Sequence, residues 1–367
     1  MEYNPFIVHL GAGPAGIEAR VTESPMGSGA VAPFETPFTP GDLARLASLV
    51  EAAAREPSPP AGPRHLAPAG TERAPERELE EAGRRLYQAL LPGPLADLWN
   101  RSLGSLANRP STGLRLEIRI DPGSGALAEL QGLPWELLHP PGRAEDFLCL
   151  RRRTTVVRHL ELPRPRETPP APSPLRVLLV APSPAGVAPL DLDREVGQLE
   201  AALAARAEVR LRRLERPTLD ALVRAFDEEP VHGLHFMGHG TFDAGTGRGS
   251  LVLEDAGGGA VPVSGEALAG QLADFVPPLR LVFLNACRTA EAAAGVPFAG
   301  VATALVEAGV PAVVAMQYPV SDTAAIAFSA EVYRLLAAAE PVDLAVAAGR
   351  KAVVRHRPAG SPEWATP

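Results

Sequence analysis

LRLEIRI at 114–120 alternates apolar with charged positions, as a strand does when one face is buried. TTVVRHL (154–160) predicts another strand. Near the start, residues 6–10 and 17–23 predict a strand pair; Ile17, Ala19 and Val21 alternate with Glu18, Arg20 and Thr22. Helical spacing takes over at 42–54, where Asp42 opens a segment carrying Leu43, Leu46, Leu49 and Val50. Two more helices are predicted at 76–91 and 94–103. Between them and the first helix, residues 55–75 are rich in Pro, Gly and charge and predict a flexible loop. ELPRPRETPPAPSP (161–174) contains six prolines, which neither helix nor central strand tolerates. It predicts an extended spacer and the main boundary of the chain.

Beyond the spacer the pattern changes. LRVLLVA (175–181), EVRLRRL (208–214), VHGLHFM (231–237), LRLVFLN (279–285) and PAVVAM (311–316) are apolar runs of strand length. Helical segments at 191–205, 218–228, 265–274 and 298–308 separate most of them. Alternating strand and helix argue for a mostly parallel sheet with helices on both faces. The expected fold class is therefore α/β, with an N-terminal α+β accessory region. The expected divisions are 1–75, a strand pair, helix and loop; 76–160; the linker 161–174; and 175–367. In such sheets chemistry sits beyond the carboxyl ends of the strands.

Charge narrows the choice of partner. The chain carries 35 Lys and Arg against 43 Asp and Glu, a net charge of −8, which argues against nucleic acid as the main partner. The N-terminus MEYNPFIVHL has neither a basic start nor a cleavable apolar stretch. Residues 298–316 are apolar enough to resemble a membrane span. Glu307, Gly309 and Pro311 interrupt them and predict a helix followed by a strand, with no membrane contact. Two cysteines, Cys149 and Cys287, form no disulfide framework and no zinc pattern. A cytoplasmic location is the expectation. Cys149, in DFLCL, reads as a buried apolar-like residue.

HLGAGPAG matches the dinucleotide-binding pattern G-x-G-x-x-G at Gly11, Gly13 and Gly16. That pattern needs a helix after the glycines and a second strand ending in an acid about twenty residues on. Pro25, Gly27 and Gly29 leave no room for such a helix, and residues 17–23 alternate as a strand. Two strands joined by a glycine-proline turn are the better reading. A nucleotide-binding oxidoreductase stays as a minor alternative.

The stronger signal lies at two strand ends. The run at 231–237 leads into Gly238-His239-Gly240, and the run at 279–285 leads into Asn285-Ala286-Cys287-Arg288. If the two strands are neighbours, imidazole and thiol open into one crevice. A thiol becomes a strong nucleophile only when ionised, and a nearby imidazole takes or balances that charge. Gly238 and Gly240 would let a substrate backbone approach the histidine. The backbone N–H groups of Gly240 and Cys287 are candidate donors to an oxyanion, each commonly contributing about 3 kcal/mol. His232, His235 and His239 are not read as a metal site: strand period two puts His232 on the face opposite the other two, and no carboxylate or second cysteine joins them.

HFMGHGTFD (235–243) and LVFLNACRTAEA (281–292) resemble the two catalytic blocks of CHAT domains, caspase-like cysteine proteases of the clan that includes caspases and separases. LPWELLH (133–139) and the stretch 309–336 resemble further blocks of that family. The resemblance implies a caspase-like sheet over 175–367 and makes 76–160 the N-terminal, pseudo-protease-like part. It implies His239 as general base and Cys287 as nucleophile, acting on the peptide bonds of a protein substrate through an acyl-enzyme, with no metal or other cofactor. Asn285 stands where arginine-specific relatives have aspartate, and Tyr318-Pro319 replaces a Trp-containing step. Asp322 matches an acid of the separase block and is a candidate wall of a pocket for a basic side chain, or simply a helix cap. Glu254 and Asp255 are rival pocket acids. By resemblance, such bacterial domains serve regulated proteolysis, defence or cell death. An activating partner, or further domains beyond Pro367, are expected. The alternative from another class is an interaction module whose dyad is idle.

Overall fold

A computed structural model describes residues 1–55, 74–121, 126–142, 147–160, 172–188, 190–204, 206–243, 248–276, 278–286, 297–356 and 361–367. The predicted loop at 55–75 and the spacer at 161–174 therefore lie largely outside the described residues. In chain order the elements are β1 (Glu2–Gly13), β2 (Gly16–Glu23), β3 (Val31–Pro33), α1 (Pro40–Arg55), α2 (Ala74–Leu90), α3 (Pro94–Ser105), β4 (Thr112–Ile120), α4 (Ala126–Leu130) and β5 (Thr154–His159). They continue as β6 (Leu175–Val180), α5 (Leu192–Leu203), β7 (Val209–Arg213), α6 (Leu219–Glu228), β8 (Gly233–Gly238), β9 (Gly240–Asp243), β10 (Arg248–Glu254), β11 (Ala260–Ser264) and α7 (Gly265–Leu272). The last are β12 (Leu281–Ala286), α8 (Pro297–Glu307), β13 (Ala312–Ala315), α9 (Asp322–Ala337) and α10 (Val342–His356).

These elements form two compact units. One comprises Met1–Leu49, Pro57–Glu161 and Glu340–Ala365; the other comprises Val50–Glu56, Leu162–Ala339 and Thr366–Pro367. The first is built on a five-stranded sheet of order β3-β2-β1-β4-β5. β1 pairs antiparallel with β2 and parallel with β4, and β4 pairs parallel with β5, so strands from 2–23, 112–120 and 154–159 share one sheet. Phe6, Val8, Leu10, Leu114 and Leu116 are fully buried in its core, with the Phe6 ring edge-on to Trp99 at 5.0 Å. α10 belongs to this unit although it comes late in the chain. Its buried Asp343 accepts hydrogen bonds from Arg115 Nε and Thr155 Oγ1, both at 2.8 Å, and so ties the helix to β4 and β5. Within the same unit, LPWELLH folds as a short 3-10 turn. Its Trp135 is fully buried, with Nε1 donating to Leu130 O at 3.0 Å, and its Glu136 pairs with Arg158.

The glycine motif at the start is a hairpin. Gly13 pairs with Gly16 across Pro14-Ala15, and β2 follows directly. Gly16 has φ 141°, a backbone setting that favours glycine. A side chain at Gly11 would collide with the Asp121 carboxylate, and one at Gly13 with Glu18. Strand partners, not a nucleotide, account for these glycines.

The second unit holds the parallel sheet, of order β13-β12-β8-β6-β7. Period two divides its side chains. Leu178, Val180, Leu234, Phe236, Val282 and Leu284 pack against α6, α7 and α8. Val177, Leu179 and Met237 pack on the other face against α5 and Tyr333 of α9. The predicted break at Gly309 and Pro311 is present: α8 stops at Glu307, Gly309 takes φ 101°, and β13 begins at Ala312. No described helix is long and apolar enough to cross a membrane. The sequence reading missed one feature. Between β8 and α7 the chain makes a separate antiparallel sheet of order β11-β10-β9.

Candidate active site

After β6 the chain goes to one side, to β7, and then returns to place β8 on the other side of β6. The order reverses between β6 and β8, and a parallel sheet opens a crevice at such a point, beyond the carboxyl ends of the strands. The segment after β6 and the segment after β8 meet there.

His239 is the first residue after β8 and is 4% exposed. Its Nε2 lies 2.8 Å from the backbone oxygen of Ala188, in the segment between β6 and α5. A carbonyl only accepts, so Nε2 carries the proton and donates it. In the neutral ring Nδ1 then carries the lone pair, and it is buried with no hydrogen-bond partner among the described residues. A buried, oriented imidazole with its basic nitrogen unoccupied is ready to take a proton from a neighbouring acid.

The neighbouring strand is β12. It lies parallel to β8, with Asn285 opposite Met237 and Ala286 opposite Gly238. Parallel neighbours stand roughly 4.8 Å apart. The last described residue of β12 is thus level with the residue that precedes His239. Cys287, next in sequence, lies outside the described residues.

The other candidates divide into two groups. Asn285 is fully buried and donates from Nδ2 to Glu195 Oε1 of α5 at 2.7 Å; its Oδ1 has no partner among the described residues. Asp322 begins α9, beyond the carboxyl end of β13. It does not cap the helix: Ser321 does, its Oγ accepting from Ala324 N. Glu254 and Asp255 are engaged elsewhere. Glu254 Oε1 accepts from Ser183 N at 2.8 Å. Asp255 Oδ1 accepts from Gly257 N and Gly259 N, closing the turn between β10 and β11. Gly240 starts β9, where it pairs with Leu251. A side chain at Gly238 would meet the Phe236 ring at 2.9 Å and Pro182 at 3.2 Å. That glycine therefore has a packing reason of its own.

The remaining polar groups have structural work. His232 Nδ1 accepts from Arg176 N at 3.0 Å, and burial with the nearby Arg176 and Arg280 holds its pKa down. His235 Nδ1 is 3.0 Å from the Tyr333 hydroxyl, and its ring stacks on Phe283; complete burial pulls its pKa down to about 3. Cys149 is fully buried, its Sγ donating to Glu136 O at 3.0 Å, and burial pushes the thiol up to about 12. Among the described residues no group of His, Cys, Asp and Glu is arranged to hold a metal. Ala188 and Glu195 were missed from sequence. Ala188 acts through a backbone carbonyl, which no residue type announces. Glu195 sits in a helix pattern that also fits a solvated charge.

The CHAT domain family model matches residues 80–365. Among solved structures, the fold is similar to a chain of the Saccharomyces cerevisiae separase–securin complex, with a TM-score of 0.50 and 11% identity. The likeness covers 98% of this chain but 29% of that one. No curated protein matches the sequence.

Proposed function

Since the chain belongs to the CHAT domain family and has a caspase-like α/β fold, we propose that it is a cysteine endopeptidase working through His239 and Cys287. The observation that carries the reading is the pairing of Gly238 with Ala286, the residues that precede the two reacting groups, together with the unoccupied Nδ1 of His239. Nδ1 takes the thiol proton, and the thiolate attacks the scissile carbonyl. The N–H groups of Gly240 and Cys287 receive the oxyanion. The imidazolium returns its proton to the leaving amine, and water then hydrolyses the thioester. Ala188 O stabilises the imidazolium through Nε2–H. Nucleophile and base both come from the chain, so no step calls for a cofactor.

Asp322 is the pocket residue of this proposal. The substrate is a protein, and the setting is regulated proteolysis in a cytoplasm. Cleavage profiling on a peptide library, with Cys287→Ala as control, tests the reading. Cleavage after Arg supports an acidic pocket. Cleavage after apolar residues removes Asp322 from it. An inert chain whose Cys287→Ala variant behaves identically makes the domain an interaction module.

A further inference from the structure

The carbonyl that orients His239 belongs to a segment that is itself tied down. Ser183 and Ala185 lie in the same stretch as Ala188, between β6 and α5. Ser183 N donates to Glu254 Oε1 at 2.8 Å. Ala185 N donates to Gly258 O at 2.8 Å, and Ala185 forms a parallel bridge with Gly259. Both anchors sit on one hairpin, the tip of β10 and β11. That tip is built to hold its shape. Asp255 Oδ1 accepts from Gly257 N at 2.7 Å and Gly259 N at 2.8 Å, and Asp255 N donates to Gly259 O at 2.8 Å. Gly258 takes φ 82°, and a side chain at Gly259 would strike the Asp255 carboxylate at 2.7 Å. On its other side, Glu254 N donates to Pro217 O at 3.1 Å, which fixes the hairpin to the segment before α6.

We infer that the β10–β11 hairpin positions the base of the reaction, with Glu254 as the positioning residue that acts on His239 through Ser183 and Ala188. The inference rests on the reading of His239 as that base. Glu254 holds the segment after β6, and the segment holds Ala188 O against Nε2. With Nε2 held, Nδ1 keeps its lone pair and its direction. If the segment drifts, the ring is free to turn and to exchange tautomers. This role differs from that of a pocket acid. It needs an acceptor oxygen at position 254, not a negative charge.

The difference sets the experiment. In long-range ¹H–¹⁵N spectra of the intact chain, with His239 assigned through His239→Gln, the wild type shows the Nε2–H tautomer. Glu254→Ala gives a mixture of tautomers, while Glu254→Gln, which keeps the acceptor, gives the wild-type pattern. In peptide hydrolysis, Glu254→Ala lowers kcat roughly tenfold with KM within about twofold, and Glu254→Gln restores kcat. If Glu254→Ala fails to fold, Asp255→Ala loosens the same hairpin and carries the same expectation. A His239 pattern unmoved in Glu254→Ala overturns the inference, as does a Glu254→Gln variant as impaired as Glu254→Ala. The spectra decide even if the chain hydrolyses no peptide, so failure of the protease reading stays distinguishable.

Discussion

Cys149 in the first unit and His239 in the second show two ways of handling reactive groups at a sheet. Cys149 is sealed in the core, bonded to a backbone oxygen, and its thiol is pushed up to about 12. His139, in the same unit, has Nδ1 against Pro140 O at 2.8 Å, and burial holds its pKa down. His239 is nearly as buried, yet among the described residues one of its ring nitrogens has no partner, at the mouth of the parallel sheet. Both sheets have five strands. The difference comes from topology. In the first unit, β1 ends in a hairpin that returns as β2. In the second, the order reverses between β6 and β8, and the segments that follow them converge.

Substitutions can break this contrast. The largest effect is expected at the second site: Cys287→Ala or His239→Ala lowers peptide hydrolysis at least about a thousandfold, while Cys149→Ala leaves the rate per folded molecule unchanged. Next come core substitutions in the first unit. Trp135→Ala, at a fully buried ring, costs about 3–5 kcal/mol in denaturant unfolding. A pH effect follows from His235. Its pKa falls to about 3 on folding, so the unfolded chain binds the proton more tightly. The stabilisation is complete above about pH 6.5 and is lost as pH falls from there toward 3. Between pH 7 and 4.5 the wild type should lose roughly 2–3 kcal/mol that His235→Gln does not. Urea unfolding at both pH values checks this. The smallest effect is at Gly16, where φ 141° is strained for any side chain although space is open. Gly16→Ala should lower stability by about 1–2 kcal/mol and leave hydrolysis intact.

Local pattern carried much of this to the sequence level. Apolar runs bounded by helical segments gave the parallel sheet, and the adjacency of β8 and β12 follows the expected arrangement. Proline and glycine after residue 16 were enough to turn a nucleotide motif into a hairpin. Long-range pairing was less visible. Nothing in residues 2–13 names residues 112–120 as their parallel partner, and nothing in α10 announces its Asp343 as the acceptor for Arg115. The β9–β11 sheet was legible in principle. LVLEDAGGGAVPV holds two short apolar runs around a glycine-rich turn, but the charged and small residues there masked the alternation. For Glu254 and Asp255 the sequence shows charge and hides direction. Their carboxylates face backbone N–H groups.

The central claim is that imidazole and thiol act together in the second unit. The most direct measurement is the pH dependence of iodoacetamide alkylation at Cys287, followed by mass spectrometry in the wild type and in His239→Ala. The account predicts rapid labelling of Cys287 well below the ordinary thiol pKa of about 8.5, slow labelling in His239→Ala, and no labelling of Cys149 in the folded chain. Alkylation of Cys287 with an ordinary thiol profile, unchanged by His239→Ala, would contradict it.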